Sequence, residues 1–172
     1  MVPILNKKGG CKMSSTKLKE YLDQENIKYT TINHSTAYTA QEIAQLAHIS
    51  GEEMAKTVIV KIDGKQAMVV LPAPDHIDLE LLGGALGAKD VSLATETEFM
   101  PQFSECDIGA MPPFGNLYHM DVYVEEALSK DKKIAFNACS HNELIEMSYE
   151  DFASLAKPKI MRISTQYSSA VA

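Results

Sequence analysis

The sequence is poor in the side chain that most often binds nucleic acids. Arg162 is its single arginine, and the net charge of the 172 residues is −7. Because arginine is the usual reader of base edges and phosphates, and nucleic-acid surfaces are normally basic, we do not expect sequence-specific groove binding. A protein that contacts only the tip of a nucleic acid remains compatible with this charge.

Cysteine is also scarce. Cys11, Cys106 and Cys139 form an odd number without Cys-x-x-Cys spacing. This pattern predicts neither a disulfide framework nor a zinc site, and it is typical of a protein from the reducing cytoplasm. None of the five histidines lies at metal-ligand spacing. We therefore expect a cytoplasmic protein with no metal and no cofactor.

Long apolar runs are missing as well. No stretch approaches the ~20 residues that a membrane-spanning helix needs, so no membrane partner is expected. The length predicts one domain. We assign residues 14–164 to that domain, residues 1–13 to a disordered extension with Met13 as an alternative start, and residues 165–172 to a flexible tail.

The chain does contain many short strand patterns with scattered helix patterns. Two apolar runs, 57–62 and 66–71, are joined by Asp63-Gly64 and predict a central hairpin covered on both faces. Thr39 and Glu42 form a capping box at the start of a helix. Other predicted helices cover 14–26, 78–86, 95–99 and 148–155, and other predicted strands cover 28–33, 91–94, 117–124, 134–138, 144–147 and 160–163, with a further one at Ile108. This mixture predicts an α+β (mixed α/β) fold with a barrel-like sheet, not a doubly wound one.

The most unusual stretch is the loop from Gly109 to Gly115, which reads Gly-Ala-Met-Pro-Pro-Phe-Gly. Two adjacent prolines stiffen it, and the flanking glycines allow positive φ or close backbone approach. Such a loop can form one wall of a small-molecule pocket. Taken alone, the loop is better interpreted as an ordinary proline-rich surface turn.

Three further residues could carry chemistry. Lys56 opens the apolar strand and could present a fixed ammonium to a phosphate or carboxylate, although a solvated charge at a strand end is the simpler interpretation. Cys139 and His141 are two residues apart and share a face if the segment is extended. That spacing rarely brings a thiolate and an imidazole into contact, so a buried, inert thiol is favoured over a nucleophile.

In combination these segments resemble the YbaK-type domain, a family associated with prolyl-tRNA synthetase editing. The Lys56 strand, the Gly109–Gly115 loop and the stretch from Phe136 to Ile145 occur in the family's order, and the resemblance covers about residues 16–164. It implies a mixed α/β barrel-like sheet. It also implies a trans-editing hydrolase that deacylates mischarged aminoacyl-tRNA, with alanine on proline tRNA first and serine, threonine or cysteine esters as alternatives.

The resemblance also implies roles for individual residues. Lys56 would hold the phosphate of the terminal adenosine, Gly109 would offer backbone donors beside the scissile carbonyl, and His141 matches a functional histidine. Water would attack the ester, helped by positioning and oxyanion stabilisation more than by a strong base. The predicted substrate-binding residues are His34, Met111, Pro113, Phe114, Asn137, Cys139 and Ser140. The expected partners are the 3′ end of an aminoacyl-tRNA and a cognate synthetase, and a monomer is favoured.

One departure from the family pattern keeps two alternatives open. The family usually has glycine where this chain has Cys139, and a side chain there would add strain or narrow the pocket. A non-catalytic module that binds a tRNA end or an amino-acid-like ligand is the first alternative. The second is a thiol-dependent hydrolase that uses Cys139 and His141.

Overall fold

The computed structural model describes residues 14–166 of the chain. Within this range the chain forms six α-helices and ten strands. The helices are α1 Ser15–Gln24, α2 Ala40–Leu46, α3 Leu79–Leu86, α4 Glu96–Phe99, α5 Glu126–Ser129 and α6 Tyr149–Ala156. The strands are β1 Tyr29–Asn33, β2 Ala55–Ile62, β3 Lys65–Pro72, β4 Asp75–Ile77, β5 Val91–Leu93, β6 Asp121–Glu125, β7 Lys133–Asn137, β8 Glu143–Ser148, β9 Lys159–Met161 and β10 Ser164–Gln166. The predicted extension over 1–13 and the end of the predicted tail, 167–172, lie outside the described residues.

The predicted hairpin is the centre of the largest sheet. Five strands pair in the order β5-β2-β3-β6-β9, with β2 and β3 antiparallel and β6 parallel to both β3 and β9. At the turn, Asp63 and Gly64 have φ values of 50° and 85°, which is the pair of positive angles that a two-residue type I′ turn requires. The Asp-Gly signal therefore predicted the turn correctly.

Both faces of this hairpin are buried. Met68 and Val70 of β3 belong to the larger hydrophobic cluster, whereas Val69 and Leu71 belong to a second cluster on the other face. This alternation is what the period of two along a strand produces. The prediction of a central hairpin covered on both faces is confirmed.

The remaining strands form two smaller sheets. Three strands pair in the order β1-β8-β7, and β10 pairs with β4. The mixture of sheets with short helices confirms the predicted α+β class. No helix in the described part of the chain is long and apolar enough to cross a membrane.

Helix ends follow the sequence signals closely. Ser14, Asp78 and Ser148 each accept a hydrogen bond from a backbone N–H of the first helical turn. The capping box of Thr39 and Glu42 is complete, with both reciprocal bonds present. Capping satisfies donors that a helix leaves unpaired, so these polar residues fixed where the helices begin.

Two predicted strands are wrong in part. The strand predicted over 117–124 begins only at Asp121, because residues Gly115–Tyr118 form a 3₁₀ helix. A Cβ at Gly115 would stand 2.6 Å from Val122 Cγ2, so this turn approaches the neighbouring strand too closely for any other residue. Ile108 lies in a turn, not in a strand. The short elements β4, α5 and β10 were not predicted, and β10 extends two residues beyond the predicted end of the domain.

A buried carboxylate attaches the C-terminal segment to the large sheet. Glu125, at the end of β6, accepts hydrogen bonds from the backbone N–H groups of Ile163 and Ser164, both at 2.8 Å. The Ser164 hydroxyl donates to the carboxylate of Asp75 at 2.8 Å. Hydrogen bonds to a charged acceptor are stronger than neutral ones, which explains how two buried carboxylates are tolerated here.

Candidate active site

Two irregular segments meet to form the candidate site. They are residues 106–111, at the start of the proline-rich loop, and residues 137–142, which connect β7 to β8. Asp107 N–H donates to the Cys139 carbonyl at 3.0 Å, and Cys139 N–H donates to the Ala110 carbonyl at 3.1 Å. His141 N–H donates to the Asp107 carboxylate at 3.3 Å. The two segments therefore hold each other through backbone groups.

His141 is oriented by this contact. Its Nε2 lies 2.7 Å from the carbonyl oxygen of Ile108. Because a carbonyl only accepts hydrogen bonds, Nε2 carries the proton and the lone pair of the neutral ring resides on Nδ1. That Nδ1 atom is buried and has no hydrogen-bond partner among residues 14–166. The site thus contains an aligned proton acceptor.

Gly109 lies directly beside this imidazole. Its φ is 83°, and a Cβ built there would stand 3.7 Å from His141 Cε1. No residue of the described chain accepts a hydrogen bond from the Gly109 N–H. A free backbone donor next to an imidazole lone pair is an arrangement that suits a developing oxyanion.

The segment after β1 closes the other side of the site. His34 N–H donates to the Asn142 carbonyl at 3.0 Å, and Ala37 N–H donates to the His141 carbonyl at 3.2 Å. His34 Nδ1 lies 2.7 Å from the Ser35 carbonyl, so His34 Nε2 carries the lone pair. These contacts place His34 and His141, both predicted to belong to the site, on adjoining segments.

Three polar atoms of this region are buried without a partner. They are Nδ1 of His141, Nε2 of His34 and Oδ1 of Asn137, none of which has a hydrogen-bond partner in the part of the chain that the structure describes. An unsatisfied buried polar group costs about 1–3 kcal/mol. A cluster of such acceptors indicates a place where a ligand supplies the missing donors.

Other predicted substrate-binding residues lie deeper. Phe114 is fully buried, with edge-to-face contacts to the rings of Tyr21, Phe136 and Phe152, so it supports the loop from the core. Met111 and Pro113 are buried as well. Ser140 is half-buried, and its hydroxyl donates to the Asn142 side chain at 2.9 Å.

Lys56 is held away from the imidazole. Its ammonium donates to the Ala73 carbonyl at 3.0 Å, beyond the end of β3. Burial lowers the pKa of Lys56, and the negative charge of Asp75 partly opposes that shift. Among the described residues, Lys56 makes no hydrogen bond to Gly109 or His141. An ammonium has three donors, and the Ala73 bond occupies one.

The prediction that the cysteines are unpaired is wrong. Cys106 and Cys139, which lie 33 residues apart in the sequence, form a disulfide with their Cα atoms 4.2 Å apart. Sequence spacing reveals local motifs and cannot reveal a pair that the fold brings together. A sulfur held in a disulfide is not a nucleophile, so this pairing argues against the thiol-dependent hydrolase. Cys139 also has a φ of 64°, the backbone region in which glycine is favoured.

Comparison with known proteins decides the family. Residues 34–155 match the aminoacyl-tRNA editing domain, which is most of the chain. The chain belongs to this family. Family membership confirms the predicted class of enzyme, an aminoacyl-tRNA deacylase, and the predicted link to editing of mischarged tRNA.

Two relatives show how the editing domain occurs elsewhere. The prolyl-tRNA editing protein ProX of Acetoanaerobium sticklandii is 27% identical over 142 residues, which cover 79% of this chain and 86% of the relative. The proline–tRNA ligase of Halalkalibacterium halodurans is 25% identical over 121 residues, which cover 70% of this chain and 20% of the ligase. The domain thus matches most of one relative and a fifth of the other.

Solved structures share the fold. A proposed trans-editing enzyme for prolyl-tRNA synthetase superimposes with a TM-score of 0.76 at 17% identity, over 91% of this chain and 99% of that chain. A crystallised hypothetical protein superimposes with a TM-score of 0.77 at 22% identity, over 87% and 99% of the two chains. The predicted fold of the editing domain is confirmed.

Sequence reasoning missed three residues of the candidate site. Asp107 and Ile108 hold His141 in place, and the ring of Tyr38 lies 5.1 Å from the His141 ring. Asp107 and Ile108 immediately precede Gly109. They lie in an irregular loop, which has no periodicity that could identify them from the sequence. Tyr38 immediately precedes the capping box, and this position was the available signal for it.

Proposed function

We propose that this editing domain acts in trans on tRNA specific for proline and removes alanine from it by hydrolysis of the 3′ ester. Serine, threonine and cysteine esters are the alternative substrates. The observation that carries the proposal is the buried, unpartnered lone pair of His141 Nδ1 beside the free N–H of Gly109. The name of the ProX relative supports proline tRNA as the substrate.

The chemistry requires one water molecule and no covalent bond between the enzyme and the substrate. His141 Nδ1 accepts a proton as the water oxygen attacks the ester carbonyl, and the Gly109 N–H donates to the oxygen that becomes negative. Water attack gives a tetrahedral intermediate. Its collapse breaks the bond between the carbonyl carbon and the ribose 3′ oxygen. The imidazolium returns its proton to that oxygen, which leaves the free amino acid and an intact tRNA.

The other predicted residues would hold the substrate. The two remaining donors of the Lys56 ammonium are available to a phosphate oxygen, and partial burial strengthens such a contact. The Asn137 Oδ1 atom, which lacks a donor within the described chain, suits the ammonium group of the esterified amino acid. The Cys139 side chain, where the family usually has glycine, favours a small amino acid.

Hydrolysis of a panel of mischarged tRNAs, led by alanyl-tRNA with the proline anticodon, tests this proposal. We expect His141→Ala to lower kcat by about 10²–10⁴-fold, the usual contribution of a general base. Lys56→Ala should abolish hydrolysis at substrate concentrations that saturate the wild type. Ile160→Ala, at an exposed residue of β9, is the control and should change neither kcat nor KM.

Each outcome of this panel assigns or removes a role. Turnover of alanyl-tRNA alone would establish the amino acid, and turnover of another ester would replace alanine in the proposal. Binding of tRNA without turnover of any ester would support the non-catalytic module instead. Full activity in Lys56→Ala would remove the lysine from the mechanism. A cytoplasmic location, a monomeric state and contact with a cognate synthetase belong to this proposal.

A further inference from the structure

Tyr38 has the most exposed large apolar side chain in the part of the chain that the structure describes. Its side chain is 75% exposed, yet the ring lies 5.1 Å from the His141 ring at an angle of 58°. Ile108, whose carbonyl oxygen lies 2.7 Å from His141 Nε2, is 51% exposed. An exposed aromatic ring therefore contacts the imidazole of the candidate general base.

The usual structural role of such a residue is not fulfilled here. Tyr38 precedes the cap residue Thr39, and an apolar residue at this position normally packs against the fourth helical residue, here Ile43. Ile43 is fully buried in its own cluster, while most of the Tyr38 ring remains in solvent. Burial of apolar surface against α2 thus does not explain why an aromatic residue stands at this position.

The ring is nevertheless held in a defined place. Glu42 accepts hydrogen bonds from the backbone N–H groups of Tyr38 and Thr39, at 3.4 and 3.3 Å. The contact with His141 restricts the side chain on one face. A ring that is restricted before binding loses little conformational entropy when a ligand stacks on its free face.

The charges around the ring indicate what kind of ligand fits. Carboxylates of Glu42 and Asp107 lie on the two segments beside it, and the whole chain carries a net charge of −7. This setting disfavours a phosphate on the ring. A flat, uncharged nucleobase fits, because base stacking on an aromatic ring needs no positive charge.

We propose that Tyr38 is a stacking platform for the terminal base of a single-stranded RNA 3′ end. This inference rests on the proposed function, since His141 at the ester of the terminal nucleotide brings the base of that nucleotide to the adjoining surface. Tyr38 binds and orients the substrate and takes no part in proton transfer. The platform adds a contact whose energy does not depend on phosphate neutralisation.

Binding of an uncharged RNA hairpin tests the platform without any hydrolysis. The probe is an acceptor-stem hairpin whose unpaired 3′ end finishes in 2-aminopurine, a fluorescent adenine analogue that is quenched when it stacks. Wild type should quench the fluorescence, and Tyr38→Ala should bind the hairpin about tenfold more weakly with little quenching. Tyr38→Phe, which keeps the ring and loses the hydroxyl, should stay within about twofold of wild type.

Controls separate stacking from other effects. Ile160→Ala removes a 52% exposed side chain from β9, an edge strand of the large sheet, and should not alter binding. Thermal unfolding of Tyr38→Ala should match wild type, because a 75% exposed ring contributes little to the core. Equal binding by Tyr38→Ala and wild type, or equal loss in the Phe and Ala variants, would overturn the platform.

Comparison of this binding with turnover in the panel of mischarged tRNAs distinguishes the platform from the deacylase. Quenching that depends on Tyr38 in a protein without turnover would support the platform and overturn the proposed reaction. Turnover together with RNA binding that is the same in wild type and Tyr38→Ala would support the proposed reaction and overturn the platform. Absence of any quenching by wild type would also overturn the platform.

Discussion

The β2–β3 hairpin and the two segments of the editing site differ in how their polar groups are satisfied. In the hairpin, eight residue pairs from Ala55↔Pro72 to Ile62↔Lys65 form one regular ladder. In residues 106–111 and 137–142, positive φ values, a disulfide and unpartnered polar atoms occur together. The hairpin is therefore complete without a ligand, whereas the site is not.

This difference indicates that the hairpin contributes mainly to stability, whereas the unsatisfied polar groups of the site serve activity. The hairpin gains free energy from buried apolar area on both faces. The site segments lose free energy at each unsatisfied acceptor and at each strained backbone position. Truncation of a buried apolar side chain in the hairpin should consequently lower stability with little effect on turnover, whereas truncation of His141 in the site should lower turnover.

The largest expected change in stability lies in the hairpin. Met68 is fully buried in the main cluster, so Met68→Ala should reduce the free energy of unfolding by about 2–5 kcal/mol. Urea denaturation measures this loss. Deacylation per folded molecule should be unchanged, and Leu93→Ala, at an exposed position of β5, should shift stability by no more than about 0.5 kcal/mol. A fall in turnover at full folding would show that the two regions are not separate.

A smaller change is expected when the disulfide of the site is reduced. Dithiothreitol should lower the stability of wild type by about 2–4 kcal/mol, because the Cys106–Cys139 bond restricts the unfolded chain over 33 residues. Urea denaturation with and without the reductant measures the shift. Cys106→Ser should unfold at the same urea concentration in both conditions. Identical midpoints for oxidised and reduced wild type would show that the crosslink carries no stability.

The smallest expected change concerns one backbone angle. Gly109→Ala should cost about 1–2 kcal/mol, since an alanine at a φ of 83° enters a region that L-residues avoid. The matched control is Gly84→Ala within α3, where a Cβ meets no atom within 4 Å and alanine should add about 0.5–1 kcal/mol. Thermal unfolding compares the two variants. Equal stabilities would contradict the positive φ at Gly109.

Repeating patterns explain why much of the fold could be predicted. The period of two in β2 and β3, the Asp63-Gly64 turn and the helix caps each depend on neighbours in sequence, so local chemistry was sufficient. The strand predicted from residue 117 failed because Gly115 packs against Val122 and Met120, which is a tertiary contact. The unpredicted elements β4, α5 and β10 have only three or four residues each and carry too little pattern to be recognised.

The sequence indicated some residues that the fold brings together, and did not indicate how they are arranged. Gly109 and His141 were identified from the glycine-proline loop and the family resemblance, and the structure brings them together. The Cys106–Cys139 pair and the contact of Tyr38 with His141 join segments that are 33 and about 100 residues apart, which no local pattern encodes. Such pairings become visible only when the chain is folded.

The buried Glu125 carboxylate determines where the C-terminal segment can be truncated or fused to a tag. Truncation at residue 162 would remove both backbone donors and leave a buried charge without a partner, a change that typically costs several kcal/mol. A tag attached after residue 166 would leave both bonds intact. Affinity handles and surface tethers for tRNA-binding assays therefore belong beyond β10.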